Sequence, residues 1–166
     1  MRIIDSLLIS TLKYLPKWFA KPFAAPYVAG ETENEVVRQI RRINKRRMSV
    51  TVDILGEHTK SMQEASLITN QYCNLYKRIN QESLDCNISI KPTHLGLDIS
   101  IEEAKKNFLK ILKTAKTYSN FLRIDMEISN VTDKTFEIFE YCKQHYTQVG
   151  VVLQAYLYRT LEDVSK

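Results

Sequence analysis

From residue 48 onward, the spacing of apolar positions alternates between two periods. "MSVTVDIL" is dense in β-branched residues and stops at Gly56, the pattern of a strand running into a loop. Met62, Ala65, Ile68, Tyr72, Leu75 or Tyr76, and Ile79 then recur three and four apart, one face of a helix. The cycle repeats. "CNISIK" predicts a second strand, and Ile101, Ala104, Phe108, Ile111, Leu112 and Ala115 predict a second helix with Ser100 as its N-cap. "FLRIDME" predicts a third strand, followed by a helix marked by Val131, Thr135, Ile138, Phe139, Cys142 and Tyr146. "VGVVLQAYL" predicts a fourth strand, and Thr160 with Asp163 three residues on has the form of a capping box opening a fourth helix.

Strands that alternate with helices imply βαβ crossovers and a parallel sheet buried on both faces. No Gly-x-Gly-x-x-Gly follows any of the strands, which removes the main support for a dinucleotide-binding Rossmann fold. A closed barrel of eight βα units takes about 250 residues. Residues 48–166 hold four units, the first part of such a barrel. Residues 1–47 are expected to form helices that precede it. Ile4, Leu7, Leu8, Leu12 and Leu15 fall on one helical face, while Asp5 and Lys13 make that stretch too charged to span a bilayer. Docking on its own protein is the first reading of this face, and contact with a membrane surface the second.

Composition adds constraints. With 166 residues and 44% apolar content the chain can bury a core, and its length suggests one domain. Cys73, Cys86 and Cys142 form no CxxC pair, and an odd count argues against a disulfide framework and for a reducing compartment. His58, His94 and His145 lack a second ligand at helical spacing, so no metal site is expected. Much of the +5 net charge lies in "RQIRRINKRRMS", residues 38–49. Arg38, Arg41, Arg42 and Lys45 recur along a helix starting near Glu31. Without interleaved aromatic residues they read as a solvated face, and nucleic acid is not expected as a partner.

Parallel α/β folds carry their reactive groups where strands end at the carboxyl side of the sheet. Polar residues fall there each time: Asp53 and Glu57, then Lys91, then Asp125 and Glu127, then Gln154 and Tyr156. Each has a structural alternative, since a carboxylate or amide there caps the next helix and a lysine snorkels. Lys91 could bind a carboxylate or, with a lowered pKa, form a Schiff base; Asp125 could hold a cation, orient the lysine or hydrogen-bond a cofactor; Gln154 could both donate to and accept from a planar ring. Spacing does not choose between these.

"YVAGET" at 27–32, "LGE" at 55–57, "SIKPTHLGL" at 89–97, "RIDME" at 123–127 and "VGVVLQAYLYRTLEDV" at 149–164 together resemble proline dehydrogenase, in that family's order, from about Tyr27 to the end. The single-domain bacterial form is the nearest likeness. The resemblance implies a (β/α)₈ barrel that holds FAD, oxidises L-proline to Δ1-pyrroline-5-carboxylate and passes electrons to quinone at the membrane. By that resemblance Lys91 helps bind the proline carboxylate, Asp125 is an active-site residue and Gln154 contacts the flavin ring. Pro92 departs from the family's usual leucine and stiffens the strand exit. The family's later strands, with a flavin-contacting arginine, the phosphate loops and paired arginines for the substrate carboxylate, have no counterpart in these 166 residues. The expectation is therefore an N-terminal half, inactive alone, that self-associates or pairs with a complementing half. Its expected location is the cytoplasm, with membrane association left open. Two rivals remain: a Schiff-base lyase acting through Lys91, and a non-catalytic binding module acting through the basic helix near Arg41.

Overall fold

In a computed structural model of the chain, the structure describes residues 28–165. The amphipathic helix expected over Ile4 to Leu15 lies outside the described residues. The chain divides into two compact units, residues 1–42 and 43–166. Helix α1 (Glu33–Asn44) begins in the first. The backbone N–H groups of Glu31 and Thr32 donate to Glu35 Oε2, so a side chain three residues in satisfies donors that no helical turn can reach. Val37 and Ile40 are buried, while Arg38, Arg41, Arg42 and Lys45 are exposed, as expected of a solvated basic face.

The second unit carries four strands, β1 (Val50–Val52), β2 (Cys86–Ile90), β3 (Leu122–Ile124) and β4 (Val149–Val151). They lie side by side in the order β1-β2-β3-β4, every pair parallel. Helices α2 (Met62–Gln81), α3 (Ile101–Thr117) and α4 (Thr132–His145) make the crossovers, and a short α5 (Thr160–Val164) follows β4. This is the first part of a (β/α)₈ barrel. Ser61 and Ser100 open α2 and α3 by accepting the N–H of Glu64 and Glu103, at 3.2 and 3.4 Å. α2 packs on α3, and α3 on α4. The core consists of Ala65, Tyr72, Leu75, Tyr76 and Ile79 of α2, Ala104, Phe108, Ile111, Leu112 and Ala115 of α3, and Ile88, Ile90, Leu122 and Ile124 of the sheet.

Three expectations need correcting. The strands are three to five residues long, shorter than the apolar runs: ladder pairing ends just before Asp53, Lys91 and Asp125 in the first three, and at Val151 in the fourth, so Gln154 lies three residues beyond its strand rather than at its end. The sheet is not buried on both faces. Side chains alternate along a strand, so Ile88, Ile90, Leu122 and Ile124 share the fully buried face and Thr51, Asn87, Ser89 and Arg123 the other, where Thr51 is exposed and Arg123 half-buried. That second face would look into the lumen of a closed barrel, and four strands do not enclose one. Finally, Thr160 and Asp163 form no capping box. Asp163 instead takes Arg159 in a two-point pair, Nε to Oδ2 at 2.7 Å and Nη2 to Oδ1 at 3.0 Å.

Candidate active site

The register fixes which polar residues meet. Val52 pairs with Ile88, so Asp53 stands one step beyond it at the level of Ser89; Ile90 pairs with Ile124, so Lys91 and Asp125 leave the sheet side by side. Residues 38 and 34 apart in sequence thus converge. The Lys91 Nζ donates to Asp53 Oδ2 at 3.0 Å and stands 3.9 Å from Asp125 Oδ2. The Ser89 hydroxyl donates to the other oxygen of Asp125 and orients that carboxylate. Lys91 is a quarter exposed (26%), open enough to meet a ligand and sheltered enough for the charges to matter.

Burial pulls the Lys91 ammonium toward a lower pKa, yet the hydrogen bond to Asp53 and the charges of Asp53, Asp125 and Glu127 outweigh it, leaving it above the usual 10.5. Lys91 is a fixed cation at neutral pH. A Schiff-base nucleophile needs the reverse shift.

Around this centre the loops interlock. The strand exit from Lys91 runs into a one-turn 3₁₀ helix (Pro92–Leu95), which Pro92 starts with its preset φ and Gly96 ends at φ 91°. Glu127 reaches back to this turn, its carboxylate accepting the Thr93 N–H at 2.9 Å and the Thr93 hydroxyl at 2.6 Å. His94 is buried edge-on to Tyr72. A side chain at Gly56 would put its Cβ 2.5 Å from the His94 ring, so the glycine of "LGE" lets the first loop cross the second. Gln154 Nε2 donates to the Met126 carbonyl at 3.2 Å, next to Asp125 in the chain. The Gln154 backbone carbonyl accepts the Thr160 hydroxyl at 2.6 Å.

Of the residues singled out from sequence, the structure joins Asp53, Lys91 and Asp125 directly and brings Glu127 into the supporting shell. Glu57 is exposed at the rim. Tyr156 ends no strand: it lies five residues past β4 in a turn and is 79% exposed. Ser89 and Thr93 were not singled out. The period-2 alternation through Asn87, Ser89 and Lys91 was the signal for Ser89, whereas nothing local announces Thr93.

The Gln154 Oε1 is buried without a hydrogen-bond partner, an acceptor that the protein leaves unsatisfied. An N–H on the edge of a planar heterocycle would satisfy it, so the residues present fit a flavin ring there. Among the described residues no group of three His, Cys, Asp or Glu side chains is placed to hold a metal ion, and no helix is long and apolar enough to cross a membrane.

The site's two histidines should titrate in opposite directions. The hydrogen bond to Asp98 lifts His58 above 6.5, while burial and the Lys91 charge hold His94 below it. His58 therefore contributes stability that is present below pH 6.5 and lost as pH rises through its folded pKa. His94 contributes stability present above 6.5 and lost as pH falls through its folded pKa. NMR titration of the imidazole protons is expected to place the two midpoints on either side of 6.5. Midpoints in the reverse order would contradict the packing described.

Residues 36–166 match the family described as proline dehydrogenase. Proline dehydrogenase 1 of Bacillus subtilis subsp. natto is 37% identical over 137 residues, covering 82% of this chain and 45% of the relative. Proline dehydrogenase 2 of Bacillus subtilis (strain 168) is 36% identical over 152 residues, covering 92% of this chain and 50% of the relative. Among solved structures, proline utilization A from Bdellovibrio bacteriovorus, inactivated by N-propargylglycine, superposes with a TM-score of 0.81 at 26% identity over 90% of this chain and 19% of that one. Proline utilization A from Corynebacterium freiburgense, at 20% identity and a TM-score of 0.73 over 99% of this chain and 18% of that one, shares the fold. The chain spans about half the length of the curated relatives it matches.

Proposed function

The chain belongs to the proline dehydrogenase family, and from that premise we propose that it supplies the Lys91 half of a flavin-dependent active site that oxidises L-proline to Δ1-pyrroline-5-carboxylate. The observation that carries the reading is the Lys91 ammonium, held 3.0 Å from Asp53 and 3.9 Å from Asp125 with its pKa kept high.

In this reading Lys91 pairs with the proline carboxylate as an electrostatic clamp and stays protonated throughout. Asp53 and Asp125 hold the cation in place, and the Ser89 hydroxyl keeps Asp125 turned toward it. Orientation is the protein's contribution: a clamped carboxylate leaves the pyrrolidine ring few ways to lie. Gln154 would hold FAD by its free carbonyl oxygen. When bound, FAD would supply the hydride acceptor for the carbon next to the proline nitrogen, the hard chemistry that no side chain here can perform. Quinone, at a membrane surface, is the proposed final electron acceptor.

Turnover would require an arginine-lined second half of the barrel that these 166 residues do not contain, contributed by a complementing chain or segment. The test is a visible spectrum taken after incubation with FAD and desalting, before and after adding L-proline. The 166-residue chain alone is expected to retain no flavin band. Co-expressed with the second half of Bacillus subtilis proline dehydrogenase 1, it is expected to retain a band that L-proline bleaches. Bleaching in the isolated chain would refute the need for a second half, and a retained band indifferent to L-proline would refute the substrate.

A further inference from the structure

We propose that Thr93 and Glu127 are a positioning pair that aims Lys91: the Glu127 carboxylate, reaching across from the loop after β3, grips the turn that follows Lys91 and so fixes where the ammonium stands between Asp53 and Asp125. This deepens the clamp reading and rests on it. Lysine reaches its partners through a flexible four-carbon stem, so its aim depends on how firmly its backbone is held. The Lys91 backbone is extended (φ −83°, ψ 124°) and is the residue immediately before the one-turn helix, to which its side chain gives no cap. Donors at the start of such a turn have no partner within it. The Thr93 N–H finds Glu127 Oε2 at 2.9 Å.

The direction of the second bond follows from chemistry. An ionised carboxylate only accepts, so the Thr93 hydroxyl donates to Glu127 Oε1 at 2.6 Å, and its oxygen is then free to accept the His58 backbone N–H at 3.1 Å. The Thr93 carbonyl also accepts the N–H and hydroxyl of Thr59, at 3.3 and 3.1 Å. One fully buried residue thus ties the loop after β1, the turn after β2 and the loop after β3. Those are the segments that follow Asp53, Lys91 and Asp125, the three members of the clamp. Glu127 is two residues from Asp125, so whatever holds the one restrains the other.

A carboxylate is a costly way to fasten a loop. Burial holds the Glu127 pKa above its usual 4.5, and the two Thr93 bonds offset only part of that rise. Well-packed apolar residues often stabilise as well as buried ions do, so a charge retained here points to a role in the site.

The test uses the 166-residue chain with Lys91 followed by ¹³Cε NMR across its titration. Thr93→Val keeps the shape and removes the hydroxyl without changing any charge. It is expected to move the Lys91 midpoint down toward 10.5, with Thr93→Ser restoring it and other lysines unmoved. A Thr93→Val chain that melts earlier yet titrates Lys91 as the unchanged protein does would overturn the proposal, because a purely structural role would do that. Should Thr93→Val fail to fold, Thr93→Ala carries the test, because it also removes the hydroxyl while leaving the Glu127 charge that itself raises Lys91, and an unmoved Lys91 midpoint there is equally fatal. Neither flavin nor proline enters this readout, so its failure leaves the dehydrogenase reading standing and is distinguishable from failure of that reading.

Discussion

Exchanging Lys91 for methionine is expected to cut proline-dependent flavin reduction in the assembled barrel by roughly 30- to 1000-fold. Removing one member of a desolvated, hydrogen-bonded charge pair costs about 2–4 kcal/mol, and about 1.4 kcal/mol is a factor of ten in rate. Two effects act together. The substrate carboxylate loses its cation, and Asp53 and Asp125 are left facing it as like charges. Methionine keeps the stem's apolar packing, so the change isolates the charge. Stability should hardly move, because the side chains of Lys91, Asp53 and Asp125 are 26%, 36% and 26% exposed and such pairs add about 1 kcal/mol or less. Steady-state kinetics and thermal melting check the two halves of this expectation. A large loss of stability with kcat/KM unchanged would mean that Lys91 fastens the fold and binds nothing.

Phe108→Ala is expected to have the largest effect on the fold. Phe108 lies mid-way along α3, has no solvent exposure, and belongs to the helix that packs against both α2 and α4. Truncating such a ring removes its burial and leaves a cavity that close-packed neighbours fill only in part, for about 3–5 kcal/mol. At this chain length that lowers the melting temperature by roughly 6–20 °C. Differential scanning calorimetry would show it. A change within a degree or two would mean that the helices are not packed on one another as described.

These expectations draw unequally on sequence and structure. The helix faces were plain in the spacing, and Ser100 as an N-cap followed from its place before the first periodic position. The strands were harder: runs such as "VGVVLQAYL" continue apolar well past Val151, where ladder pairing stops, because hydropathy does not record where a chain leaves its neighbour. Lys91 and Asp125 stood out as polar residues closing apolar runs. Asp53 stood out equally but drew no role, although it makes the shortest contact with Lys91. That contact depends on the parallel register of β1 against β2 across 38 residues, which no local pattern encodes. Thr93 was invisible for the opposite reason: it lies in a turn of polar and apolar residues without period, and its importance comes from what other loops bring to it.

The central claim is that Lys91 is a permanently charged clamp. Its direct test is the ¹³Cε NMR titration of Lys91 in the unmodified chain, with a carbonyl compound and borohydride added in a parallel sample. A clamp requires a midpoint above 10.5 and no reductive trapping on Lys91. A midpoint far below that value, with a stable adduct at Lys91, would make the residue a nucleophile and contradict the clamp.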